Sequence, residues 1–189
     1  SAVLVAIYDD PDPTVLLTRR SWELRRHRGE VSFPGGRADV GEDARATALR
    51  EAQEEIALEP RAVQVLGELD HLSTVTRRTY IAPVVGVLEK SPLLIPSDAE
   101  VAAILRVPVS ELRSPGVFRE ERWGVGENSR PIYYFDLVGD TVWGATASML
   151  RHMLVLLLGL DPGLPEDHDP ARGLGWYPPL PPGLAHEVV

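Results

Sequence analysis

Gly36-Arg37-Ala38-Asp39-Val40-Gly41-Glu42-Asp43-Ala44-Arg45-Ala46-Thr47-Ala48-Leu49-Arg50-Glu51-Ala52-Gln53-Glu54-Glu55-Ile56-Ala57-Leu58 is the most informative stretch of this chain. A glycine loop leads into a helical pattern over 43–57, and three glutamates crowd its end. An α-helix turns about 100° per residue, so Glu55 lies about 40° to one side of Glu51 and Glu54 about 60° to the other. Ala48, Leu49, Ala52 and Ile56 form the adjoining apolar stripe; the helix therefore buries one side and carries its acids along the edge. Like charges at this spacing repel by roughly 0.2–0.5 kcal/mol per pair, and acids near a helix C-terminus oppose the macrodipole. Only Arg50 and, further back, Arg45 offset them. A hard divalent cation, Mg²⁺ or Mn²⁺, takes oxygen ligands and would relieve the repulsion. A solvated acidic face would need no ligand at all.

The order of residues gives the metal-binding alternative its weight. Gly36, five residues, Glu42, seven residues, Arg50-Glu51, apolar Ala52, one residue, Glu54-Glu55, one residue, and apolar Leu58 after Ala57 resembles the signature of the Nudix hydrolases. Ala57 is the one departure, standing where the family has Gly. That Gly ends the helix in a left-handed conformation, which Ala adopts at a cost. The departure touches the turn and leaves the ligands intact.

A second motif abuts the first. Leu16-Leu17-Thr18, then Arg20-Ser21, Arg25, Gly29 and Phe33-Pro34-Gly35-Gly36 follow at the spacing of the extra signature of the coenzyme A pyrophosphatase branch of that family, with every fixed position present. The two motifs span 16–58. Five arginines (19, 20, 25, 26 and 28) fall within ten residues against one acid, Glu23, in a chain whose net charge is −9. Guanidinium groups bind phosphate bidentately and stay charged. A plain surface arginine run accounts for the same residues equally well taken alone, and arginine is the default cation here, Lys90 being the only lysine. Arg20, Ser21, Arg25 and Gly29 gain weight from the motif; Arg19, Arg26 and Arg28 are expected to face solvent. Trp22 either stacks on an adenine or anchors its loop. Gly35 and Gly36 end a strand and permit close backbone approach to a ligand, and the resemblance implies that the Gly36 carbonyl lies near a metal.

What the resemblance implies is concrete. The fold class is α/β (α+β), a Nudix-type α/β/α sandwich with a mixed sheet and a catalytic loop-helix-loop; periodicity alone supports only a mixed α/β or α+β domain. Mg²⁺ (or Mn²⁺) would be held by Glu51 and Glu55 with Glu54 nearby. Water would attack the pyrophosphate of coenzyme A, giving 3′,5′-ADP and 4′-phosphopantetheine. Arg50 would orient the glutamates through Glu54 or Glu42. Glu54 and Glu100 compete as general base, and a surface acid at a helix N-terminus, where negative charge is favoured anyway, is the alternative for Glu100. The alternatives are ADP-ribose, NADH or another nucleoside diphosphate derivative as substrate, or a catalytically silent nucleotide-binding module.

Composition bounds the rest. At 189 residues, 44% apolar and 25% charged, the chain suits one domain with a full core over 1–160. No broad basic stripe accompanies the net charge of −9, which argues against a nucleic-acid polymer as partner. With no cysteine there is no disulfide and no thiolate site, in keeping with a cytoplasmic location. The longest apolar run, 153–160, is too short to span a membrane, and no signal peptide shows. Strands are expected at 2–8, 14–18, 31–33, 63–69, 80–88, 101–107 and 131–138, with a buried helix at 145–158. A polar loop at 71–78 is expected to rim the site. Pro and Gly punctuate 161–189, a C-terminal extension expected to pack on the domain or on the partner of a homodimer.

Overall fold

The computed structural model of the chain describes residues 1–8, 11–73, 80–124 and 129–160. Its central strand is Ala2–Tyr8 (β1), an apolar run buried on both faces. β1 runs parallel to Tyr80–Leu88 (β7) over its full length, from Ala2 opposite Ala82 to Tyr8 opposite Leu88. Thr14–Arg20 (β2) meets β1 only at the turn, through Ile7 opposite Val15 and Tyr8 opposite Thr14. Beyond that corner β2 takes Val101–Pro108 (β8) as its long antiparallel partner and Val31–Ser32 (β3) beside Thr18 and Arg19. Gly35–Gly36 (β4) pairs with the start of β1, while Gln64–Glu68 (β5) and Leu72–Ser73 (β6) pair with β7. The sheet is mixed, as expected.

Each face carries its own core. On one side Ala44–Ile56 (α1) packs Ala48, Ala52 and Ile56 against Leu4, Leu16 and Val84. Burying a side chain the size of Ile56 contributes about 1.5–3 kcal/mol, enough to fix which way the helix faces. On the other side Val5, Leu17, Phe33 and Val85 meet Gly144–Leu158 (α3) and a small antiparallel sheet. That sheet orders Asp140–Trp143 (β11), Arg130–Leu137 (β10) and Phe118–Trp123 (β9). Helix, mixed sheet and helix thus form the expected α+β sandwich. Three strands escaped sequence reading: β6, which opens the segment expected as a polar loop, β9 and β11. β9 carries Arg-Glu-Glu-Arg in succession, an edge with no apolar alternation to announce it. β11 is four residues long. Val109–Leu112 (α2) is a single turn following β8. Glu100 precedes β8 and not a helix, so the alternative of an acid at a helix N-terminus does not apply. The expected loop lies mostly outside the described residues, beyond Ser73, as does the 161–189 extension. Among the described residues no helix is long and apolar enough to cross a membrane.

The ends of α1 are set by local chemistry. Asp43 caps the N-terminus, its Oδ1 accepting the Ala46 N–H at 2.7 Å. At the other end Ala57 is left-handed (φ 54°, ψ 29°), donating to the Gln53 carbonyl at 3.0 Å, while the Leu58 N–H reaches the Ala52 carbonyl at 3.3 Å. The Ala57 bond is the 5→1 closure of a left-handed helix end, built without its usual glycine. A left-handed L-residue costs roughly 1–2 kcal/mol, of which the greater freedom of an unfolded glycine returns about 0.4–1. Ala57→Gly is therefore expected to stabilise the fold by up to about 1 kcal/mol, read as a higher urea midpoint at unchanged slope. An equal or lower midpoint would show that the turn carries no strain.

Candidate active site

The seating of α1 sorts its three end glutamates by environment. Glu55 turns inward and is only 4% exposed. Its Oε2 accepts the Gly35 N–H at 3.2 Å, and the Arg20 guanidinium stands 4.0 Å from Oε1. Burial pushes its carboxyl up to about 7; the Gly35 N–H and Arg20 oppose this, and the charges of Glu100 and Glu51 add to it. Glu51 sits at the helix edge and is also raised by burial, against the pull of Arg50. Its carboxylate lies on the backbone of Gly36, where a Cβ would come within 2.4–2.5 Å of it. Gly35 is held as closely by β1: a Cβ there would lie 2.4 Å from the Ala2 carbonyl oxygen. Both glycines of the turn are thus required by close approach. Glu54 points outward, its side chain 60% exposed.

Arg50 ties the helix to the loop before it. Its guanidinium contacts Glu42 at 2.8 Å, Glu51 at 3.0 Å, Glu54 at 3.0 Å and the Arg37 carbonyl at 3.0 Å. Glu42 is pushed down to about 2, first by Arg50 and then by the Asp39 N–H. The three glutamates expected along one edge of the helix therefore differ in depth and do not converge. Arg50 draws Glu54 away from Glu55, which the sheet takes inward, and among the described residues no three acidic or imidazole groups converge as a metal cage would. The donor chemistry still suits a hard dication. Glu51 and Glu55 offer carboxylate oxygens whose charges burial disfavours and which repel each other, with Glu100 adding to the repulsion on both. The two would hold the ion, Glu54 joining only on release from Arg50.

The basic motif forms a loop whose neck is pinned on both sides. The Gly29 N–H donates to the Arg20 carbonyl, the Arg20 N–H to the Glu30 carbonyl, and the Ser21 N–H to the Glu100 carbonyl at 2.8 Å. Ser21 is buried and its Oγ accepts the Glu23 N–H, so it shapes the neck instead of facing a ligand. Gly29 leaves room for the Trp22 ring, which a Cβ would strike at 2.3 Å. Arg25 is exposed and has no partner among the described residues. Arg26 and Arg28 are exposed as expected. Arg19 is not: its Nε and Nη2 donate to Asp140 at 2.7 and 2.6 Å, a two-pronged bridge to β11. The reason is strand parity. Successive residues of β2 point to opposite faces, so Arg20 reaches Glu55 while Arg19 reaches the small sheet.

Two further features carry no signature in the sequence. The main chain before β8 is laced to the end of α1, Ile95 N–H to the Ile56 carbonyl at 3.1 Å and Ser97 N–H to the Glu55 carbonyl at 2.8 Å, and this brings Glu100 beside the helix acids. A cleft of about 590 Å³ opens between the basic loop and the small sheet, and none of the α1 carboxylates lines it.

Comparison with known proteins agrees with this architecture. The model of the NUDIX domain matches residues 1–126. A Yersinia pestis (strain Pestoides F) protein named uncharacterized Nudix hydrolase NudL is 36% identical over 157 residues, 81% of this chain and 77% of its own length. The MutT/nudix family protein from Enterococcus faecalis superposes with a TM-score of 0.56 at 16% identity, over 85% of this chain and 63% of that one. The Mycobacterium smegmatis (M. smegmatis) Nudix hydrolase RenU gives 0.51 at 20% identity, over 59% and 71%. At such identities the structural likeness is one of fold alone.

The buried Glu55 makes stability pH-dependent. An unfolded glutamate releases its proton near 4.5, whereas folded Glu55 keeps it to about 7. The native state binds the extra proton in that window, so stability falls as pH rises through it, by up to about 3 kcal/mol. In chelator, Glu55→Gln is expected to flatten this slope in urea titrations between pH 4.5 and 7; an unchanged slope would mean Glu55 ionises freely.

Proposed function

The chain belongs to the Nudix family and is a pyrophosphohydrolase, and we propose that its substrate is coenzyme A or a derivative, cleaved to 3′,5′-ADP and 4′-phosphopantetheine. One observation carries this proposal: the basic loop and the acidic helix meet at Arg20 and Glu55, 4.0 Å apart, so that a phosphate-binding motif ends beside the carboxylates. We take 1–160 as the catalytic unit and 161–189 as an extension to it. The fold likeness to solved Nudix structures favours no particular substrate.

Hydrolysis adds one water across the anhydride. Its oxygen bonds to one phosphorus, the bridging P–O bond breaks, and the proton passes to a carboxylate. Mg²⁺ or Mn²⁺, when bound, supplies charge for the pyrophosphate oxygens and acidifies water. Glu51 and Glu55 would hold that ion. Of the two candidate bases, Glu54 is held by Arg50, whereas Glu100 stands beside the helix acids with no ion pair of its own among the described residues. Glu100 is accordingly the proposed proton acceptor. Arg50 positions Glu51 and Glu54, Gly35 and Gly36 bring backbone against the acids, and Arg20 and exposed Arg25 offer guanidinium to phosphate.

A substrate panel with Mg²⁺, followed by chromatography, tests this directly: coenzyme A should be turned over faster than ADP-ribose, NADH or diadenosine polyphosphates, and the reverse ranking would overturn the assignment. Glu51→Gln and Glu55→Gln should each lower turnover by roughly 100-fold or more with the fold intact by circular dichroism. Arg25→Ala should raise KM for coenzyme A about tenfold while changing that for dephospho-coenzyme A little, because only the former has a 3′-phosphate. Equal losses on both would detach Arg25 from that phosphate.

A further inference from the structure

Three of the chain's four tryptophans, Trp22, Trp123 and Trp143, line the cleft between the basic loop and the small sheet. They are 66%, 48% and 39% exposed, a large aromatic surface left to water. Their planes are nevertheless fixed. Trp22 lies on Gly29. The Trp123 Nε1–H and the Tyr134 hydroxyl both donate to Glu121 Oε2, at 3.0 and 3.2 Å. Trp143 stacks on Tyr134 with 14° between planes and sits 6.1 Å from Trp123, and the Arg119 guanidinium covers Tyr134 at 3.8 Å. The Arg19–Asp140 bridge ties one wall to the other. Rigid aromatic walls that give up no freedom on binding are what a flat ligand needs.

We propose that this cleft binds the planar heteroaromatic base of a nucleotide, stacked on the indoles of Trp22 and Trp123. The proposal rests on the pyrophosphohydrolase reading above and deepens it by giving the adenine of the substrate a place. At about 590 Å³ the cleft has room for a nucleoside. Glu30 in its wall has one carboxylate oxygen on His27 Nδ1 at 2.9 Å and offers the other to a base amino group, and Arg28 offers charge to a phosphate. An aliphatic chain would satisfy neither. Trp22 in the cleft follows Arg20, which stands 4.0 Å from Glu55, by two residues, so the same loop serves the cleft and the carboxylates.

The test separates base from phosphate and binding from turnover. Calorimetric titration in chelator compares 5′-AMP with ribose 5-phosphate. The base should improve affinity about tenfold or more, Trp22→Ala and Trp123→Ala should each lose roughly tenfold for 5′-AMP, and Trp22→Phe should recover most of it. Both side chains are largely exposed, so truncation spares the core. Absence of 5′-AMP binding, equal affinity for the two ligands, or wild-type affinity in both alanine variants overturns the proposal. If 5′-AMP binds as expected but coenzyme A is not cleaved, the cleft stands and the substrate assignment fails. If coenzyme A is cleaved with unchanged KM in both tryptophan variants, the cleft assignment fails and the substrate stands.

Discussion

Glu55 is a carboxylate held almost out of water with one backbone donor and a guanidinium too far away for a hydrogen bond. Such a group is costly unless something nearby answers its charge. The surrounding structure is shaped by that constraint. α1 is fastened to the sheet by Ala48, Ala52 and Ile56, so the helix cannot roll to release the acid. Gly36 is stripped of a side chain so that its backbone can lie against Glu51, and Gly35 so that it can lie against β1 while its N–H meets Glu55. Arg50 neutralises the outer acids and leaves the inner one underserved. The protein keeps an uncompensated negative site at the point where its most basic loop arrives, and a dication or a phosphate-bearing metal complex is the natural complement.

The local part of this arrangement was legible from residue order. The helix limits, its left-handed end at Ala57 and the link from Arg50 to Glu42 and Glu54 follow from spacing and the family signature. Angular position also placed Glu55 and Glu54 on opposite sides of Glu51. What angle alone could not give was depth. The sheet lies against the Glu55 side, so one neighbour is buried and the other is solvated, although a hundred degrees or so separates them. Arg19 departs from its expected solvent-facing position for a related reason. Its partner Asp140 lies 121 residues away, on a strand too short to be seen in advance. The aromatic cleft was hidden likewise, since Trp22, Trp123 and Trp143 come from three separate segments.

β2 serves both sides of the molecule. Arg19 and Arg20 are adjacent in sequence and act on opposite faces, one bracing the small sheet and the other approaching the acidic helix. The register of β2 against β8 shifts between these two residues, which lets the strand end in the loop without losing its partner. A slip of one residue here would exchange the two guanidinium groups and undo both sites at once. The pairing of Thr18 and Arg19 with β3, and of Leu16 and Leu17 with β8, makes such a slip expensive.

The lacing of the segment before β8 to the helix end has a bearing on how this region can drift over generations. Its anchors are peptide amides at 95 and 97, and an amide is supplied by nineteen of the twenty residue types alike. Prolines already stand at 92 and 96, where no donor is used. Side chains along this stretch are thus open to wide replacement, Leu93 and Ile95 among them, while the acid at 100 stays aimed. Only an imino acid at either anchoring position would unfasten it.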